Sequence, residues 1–100
     1  MSNVSQQELM QVQQLFQQGR FAEAAAACRT LLRRHRDAPE LQHMLAAALQ
    51  RSGDAEGADR AYREALQGAP QSLPLLLDYG RFLRAIGRGA QAERRFRKAL

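Results

Sequence analysis

Residues 45–66 read LAAALQRSGDAEGADRAYREAL, and this stretch decides the fold. Leu45, Ala48 and Leu49 recur at helical spacing, and Gly53 ends the run. A glycine tolerates the left-handed conformation that closes a helix. Asp54 is placed to cap a second helix. There Ala58, Ala61, Tyr62, Ala65 and Leu66 make a second apolar stripe. The stretch is two amphipathic helices joined at a glycine. Moving outward by 34 residues in either direction finds the same residue classes: Gly19, Gly53 and Gly87; Ala24, Ala58 and Ala92; Cys28, Tyr62 and Phe96; Leu15, Leu49 and Leu83; Leu32, Leu66 and Leu100. A fixed period in this range marks a stack of supersecondary units.

Extending the pattern predicts an all-α chain of about six helices, over residues 5–18, 22–35, 39–52, 55–68, 73–86 and 89–100. The units span about 5–38, 39–72 and 73–100 of a single domain, 1–100, the last unit incomplete. Gly68 and Pro70 end the fourth helix, Ser72 caps the fifth, and Pro74 suits its first turn. Asp37, Pro39 and Glu40 read as a helix start with a capping-box partner. The fifth helix carries the stripe Leu76, Tyr79, Gly80 and Leu83, and the sixth carries Ala92, Phe96, Ala99 and Leu100. Ala24, Ala58 and Ala92, with Ala46 and Gly80, are small where helices must cross closely. Short connections make sequential helices antiparallel neighbours.

Composition agrees. Apolar residues make up 45% of the chain, and Val4, Val12, Thr30 and Ile86 are its only β-branched residues. The longest apolar runs fall far short of a membrane span, and residues 1–8 do not read as a secretory signal. Cys28 is the single cysteine, which excludes an internal disulfide and reads as a small buried hydrophobe. A cytoplasmic setting is the expectation, and arginine in place of lysine, with much alanine and glycine, reads as a GC-rich bacterial source. The net charge of +5 is uneven: residues 39–72 hold three Arg against five acids, and residues 73–100 hold six Arg and one Lys against two acids.

Over residues 5–100 the chain resembles the tetratricopeptide repeat family. Leu45, Ala46, Leu49, Gly53, Ala58, Tyr62, Ala65, Leu66 and Pro70 carry the resemblance, followed by Tyr79, Gly80, Leu83, Gly87, Ala92, Phe96, Ala99 and Leu100. The first unit departs from the pattern at Gln11 and Arg36. The resemblance implies a right-handed superhelical stack of antiparallel helix pairs, whose first helices line a concave groove that holds a peptide or a partner helix. Chaperone-binding members hold a terminal carboxylate with Lys, Asn and Arg. The matching places here are Leu9, Gln13, Met44, Pro74 and Asp78, which do not reproduce that clamp.

With Leu45, Ala46 and Leu49 spent on packing, the opposite face of the third helix carries His43, Ala47 and Gln50. The 34-residue step takes these to Leu77, Arg81 and Arg84, and back to Leu9, Gln13 and Phe16. These nine form the candidate groove. Its apolar Leu9, Phe16 and Leu77 with two cations at one end suit a ligand that has an apolar anchor and an acidic group near Arg81 and Arg84.

No catalytic, cofactor or metal site is expected. His35 and His43 read as surface residues without metal-ligand spacing, the isolated glycines make no phosphate loop, and no nucleophile has a base in reach. Asp54, Glu56 and Asp59 crowd a helix start, where the dipole favours them. The runs Arg33–Arg36 and Arg94–Lys98 read as solvated faces near helix C-termini, which argues against nucleic acid. Leu100 falls within its stripe without a capping helix, so self-association through that end, or continuation into a longer protein, is expected. The reading is a non-enzymatic protein–protein interaction scaffold. One alternative is the N-terminal recruiting module of a larger bacterial enzyme, similar to sulfotransferases or glycosyltransferases across Leu31–His35 and Pro39–Glu40. Another is a nucleic-acid binder using the basic third unit.

Overall fold

The computed structural model describes residues 4–87. They form five α-helices in sequence: α1 (Gln6–Gln17), α2 (Phe21–Arg34), α3 (Pro39–Ser52), α4 (Ala55–Gly68) and α5 (Leu73–Ala85). The bounds lie within a residue or so of those expected. The expected sixth helix, its stripe of Ala92, Phe96, Ala99 and Leu100, the run Arg94–Lys98 and the uncapped end all lie outside the described residues.

Local chemistry sets each boundary. Gly53 has φ +92°, and Gly19 and Gly87 take the same left-handed conformation. Asp54 accepts from the Gly57 N–H at 2.9 Å and starts α4, while Ser72 accepts from the Leu75 N–H and starts α5. The start of α3 differs from expectation. Its N-cap is Ala38, with no side-chain cap. Asp37 lies one residue too early, and the cap position holds a methyl group that is buried at 3% exposure. Pro39, in the first turn, supplies a preset φ instead. A full capping box occurs at α1: Ser5 Oγ accepts from the Glu8 N–H and Glu8 Oε1 accepts from the Ser5 N–H, both at 3.1 Å.

Consecutive helices pack on one another, most extensively α2 on α3 and α3 on α4. The connections, residues 18–20, 35–38, 53–54 and 69–72, are too short for anything but a return of each helix onto its predecessor. Ala24, Ala46 and Ala58 are fully buried, as the small-residue argument requires. Gly80 is not at a close crossing, since it is half-buried and a Cβ there would meet nothing within 4 Å, and Ala92 lies outside the described residues. Leu41, Leu45, Leu49, Ala61, Tyr62 and Ala65 complete the middle of the core, and Cys28 is buried among them. Burial pushes the Cys28 thiol up to about 11.

Two stripes differ from the sequence reading. In α5 the buried residues are Leu75, Tyr79, Phe82 and Leu83, with Leu76 only half-buried. Phe82 packs against Tyr62 at 5.4 Å between ring centroids, which turns the helix toward α4. Asp59 is not a solvated dipole partner: it is buried, accepts the Tyr79 hydroxyl proton, and pairs with Arg63 Nε at 3.2 Å. In α1 only Val12 is buried, and Leu9, Leu15 and Phe16 lean partly exposed on the core.

Candidate functional site

Tyr62 organises the middle of the molecule. It is buried at 2% exposure, and its ring lies 5.4 Å from both Tyr79 and Phe82 and 6.2 Å from His43. Its hydroxyl donates to Gln50 Oε1 at 2.9 Å. Burial and the neighbouring Asp78 carboxylate push this phenol up to about 12, so it stays protonated and donating.

Above this ring α3 and α5 meet through polar groups. His43 Nε2–H donates to Asp78 Oδ2 at 2.8 Å. Arg81 Nη1 lies 3.6 Å from Asp78 Oδ1, longer than a well-formed hydrogen bond, with its side chain 77% exposed. Ala47, Gln50 and Arg51 of α3, Tyr62 of α4, and Asp78 and Arg81 of α5 line a recess of about 200 Å³. A second recess of about 290 Å³ lies beside it, lined by Leu76, Leu77, Gly80, Arg81 and Arg84. Arg81 belongs to both. Leu77 is half exposed, as are Leu73 on the same helix and Met10 on α1.

The nine expected groove residues divide accordingly. His43, Ala47, Gln50 and Arg81 gather about the α3–α5 recess; Leu77, Arg81 and Arg84 share the adjoining one. Phe16 reaches this region indirectly. It packs edge-on against Phe21 at 5.7 Å, and the Arg51 guanidinium lies over the same Phe21 ring, also at 5.7 Å. Leu9 is half-buried against the core and Gln13 is exposed on α1; neither lines these two recesses.

Sequence reasoning misses Asp78, Tyr62 and Arg51 as groove residues. The repeat step takes His43 to Leu77, one residue short of its actual partner. Arg51 adjoins Gln50 but falls on neither expected face, while the stripe of α4 places Tyr62 wholly in the core. Neither histidine is a plain surface residue. His43 carries the α3–α5 link. His35 is half-buried at the end of α2, with its Nδ1 buried and unpartnered among the described residues. Its Nε2 lies 3.9 Å from Glu8, which also pairs with Arg34 and so ties α1 to α2. Hydrogen bonds from the Ser5 backbone and hydroxyl, and then Arg34, hold the Glu8 carboxyl below its ordinary value.

Among the described residues no three His, Cys, Asp or Glu side chains are grouped to hold a metal ion, and no helix is long and apolar enough to cross a membrane. In comparisons with known proteins, a family model for the tetratricopeptide repeat matches residues 49–100. No curated protein and no solved structure matches the chain significantly.

Proposed function

The chain belongs to the tetratricopeptide repeat family, whose members mediate protein–protein interaction, and from that premise we propose that it is a scaffold holding a peptide or partner helix across α3 and α5. The observation that carries this reading is the half-exposed Leu77 beside Arg81 and Arg84, next to the recess built by α3, α4 and α5. An apolar side chain of the partner covers Leu77, and an acidic group meets the arginines, which offer paired donors to a carboxylate. The nine-residue groove divides the work. Leu77 is the anchor, Arg81 and Arg84 select charge, and His43, Ala47 and Gln50 form the adjoining wall. Leu9, Gln13 and Phe16 extend the surface along α1. The protein acts by holding, without catalysis, in a cytoplasmic setting.

Site-specific photo-crosslinking tests this. A photoreactive residue is placed at Leu77, or as a control at the exposed Gln67 of α4. Capture from Leu77 but not from Gln67, abolished by the R81E/R84E double variant, supports the groove. Equal capture from both positions, or capture indifferent to charge reversal, overturns it.

A further inference from the structure

We infer that the recess between α3 and α5 receives a single carboxylate of the partner, held by Gln50, Arg51 and Arg81; this rests on the groove reading above. Three independent features of the lining converge on that chemistry. Gln50 Oε1 already accepts from the Tyr62 hydroxyl, and the Gln50 amide N–H₂ offers two donors. Arg51 has no ion-pair partner among the described residues. Its guanidinium lies 5.7 Å from the centroid of the Phe21 ring, a contact with a π face that takes up no oxygen acceptor. Arg81 meets Asp78 only at 3.6 Å and is largely exposed, so it too keeps donors for a ligand. Gln50, Arg51 and Arg81 thus keep donors in this recess, while its one carboxylate, Asp78, is engaged by His43 and Arg81.

Asp78 sets how much negative charge the recess accepts. Its two oxygens face His43 and Arg81, so it is held within the protein. Two guanidinium groups and one carboxylate line the recess, leaving a single net positive charge. That balance matches one carboxylate and disfavours a phosphoryl group, which carries about −1.5 to −2 at neutral pH. A space of about 200 Å³ takes the end of one side chain or a chain terminus, and a whole helix, about 10–12 Å across, lies over it and not in it. Asp78 thus acts as a specificity residue for charge.

The test uses the full chain, isotopically labelled, with three probes: N-acetyl-glutamate α-amide, N-acetyl-glutamine α-amide and N-acetyl-leucine. The readout is the NMR signals of the arginine Nε–H and glutamine side-chain amide groups. Saturable shifts of Arg51, Arg81 and Gln50 with a carboxylate probe, and not with the glutamine probe, support the inference. The stronger of the two carboxylate probes identifies the source as an acidic side chain or a chain terminus. R51Q and R81Q each weaken binding by about fivefold or more, and D78N strengthens it by about threefold or more, since a like charge near the ligand is removed. Both arginines are exposed, so these variants fold. Equal shifts with the glutamine probe, or shifts spread equally over the exposed Arg29, Arg33 and Arg60, overturn it. If Leu77 crosslinks as expected while no carboxylate probe moves these groups, this inference falls and the groove reading stands.

Discussion

Replacing Tyr62 separates the two roles that the structure gives it. The ring is buried at 2% exposure against Tyr79 and Phe82, and the hydroxyl makes one hydrogen bond, to the half-buried Gln50. Truncation to alanine removes the ring and leaves a cavity between α4 and α5, at a cost of about 3–5 kcal/mol for a large aromatic. Replacement by phenylalanine keeps the ring contacts and loses only the hydrogen bond, about 0.5–1.5 kcal/mol, toward the low end because water can reach Gln50. A domain of this size is held by about 5–15 kcal/mol, so Y62A consumes a large share of the total and Y62F a small one. Urea unfolding followed by far-UV circular dichroism measures both differences, with an unchanged denaturant slope as the check on two-state behaviour. The phenol adds an independent signature. Its folded value, about 12, lies above its ordinary value of 10.0. The stabilisation is therefore complete below pH 10 and is lost as pH rises from there toward 12. Two units correspond to about 3 kcal/mol as an order of magnitude. Y62F should flatten that alkaline decline. If Y62F destabilises as much as Y62A, or Y62A costs less than about 1.5 kcal/mol, the assignment of Tyr62 as the central packing residue is wrong.

Other perturbations test other parts of the molecule. Ser5→Ala breaks the capping box of α1 at a cost of about 1 kcal/mol. Because Glu8 is held below its ordinary value of 4.5, the stabilisation it draws from Ser5 exists above that pH and fades as pH falls through its folded value. The difference between wild type and S5A therefore shrinks in acid, and a constant difference from pH 7 to pH 3 counts against the capping box. Gly53→Ala forces a side chain into φ +92° and costs about 1–2 kcal/mol, a drop in Tm of roughly 4–8 °C per kcal/mol for a domain of 60–100 residues; an unchanged Tm refutes the strain argument. Cys28 is fully buried, with its thiol raised from 9.0 to about 11. It should resist aromatic disulfide reagents in the folded protein and react on unfolding. Its contribution to stability is present below pH 9 and lost between pH 9 and 11, and C28A should remove that loss.

Much of the fold was legible because repetition makes packing positions visible. Gly53 and its equivalents had to be turns, since their residue class recurs at one fixed step between amphipathic stripes. Ala24 and Ala58 had to sit at crossings, and both are fully buried. The misread details are those in which neighbouring residues compete for one role. Asp37 and Ala38 competed for the cap of α3, and Pro39 made a side-chain cap unnecessary. In α5 a run of leucines offered several possible stripes, and the Phe82–Tyr62 contact chose among them. The groove was legible as a face but not as a set of partners. The repeat step aligns equivalent positions on parallel rows, whereas side chains from adjacent rows meet diagonally, as His43 meets Asp78.

The sequence by itself determined the helical class, the bounds of the five described helices and the crossing alanines Ala24, Ala46 and Ala58, because periodicity and local capping depend on residues only a few positions apart. Only the tertiary structure decided the charge of the recess. Arg51 comes to lie over Phe21, Asp59 becomes a buried acceptor for Tyr79, and Asp78 spends its carboxylate on His43 and Arg81. Those outcomes depend on which side chains from separate helices come within about 3–4 Å of one another. A sequence pattern orders residues along each helix; the packing of α3, α4 and α5 sets which donors remain for a partner.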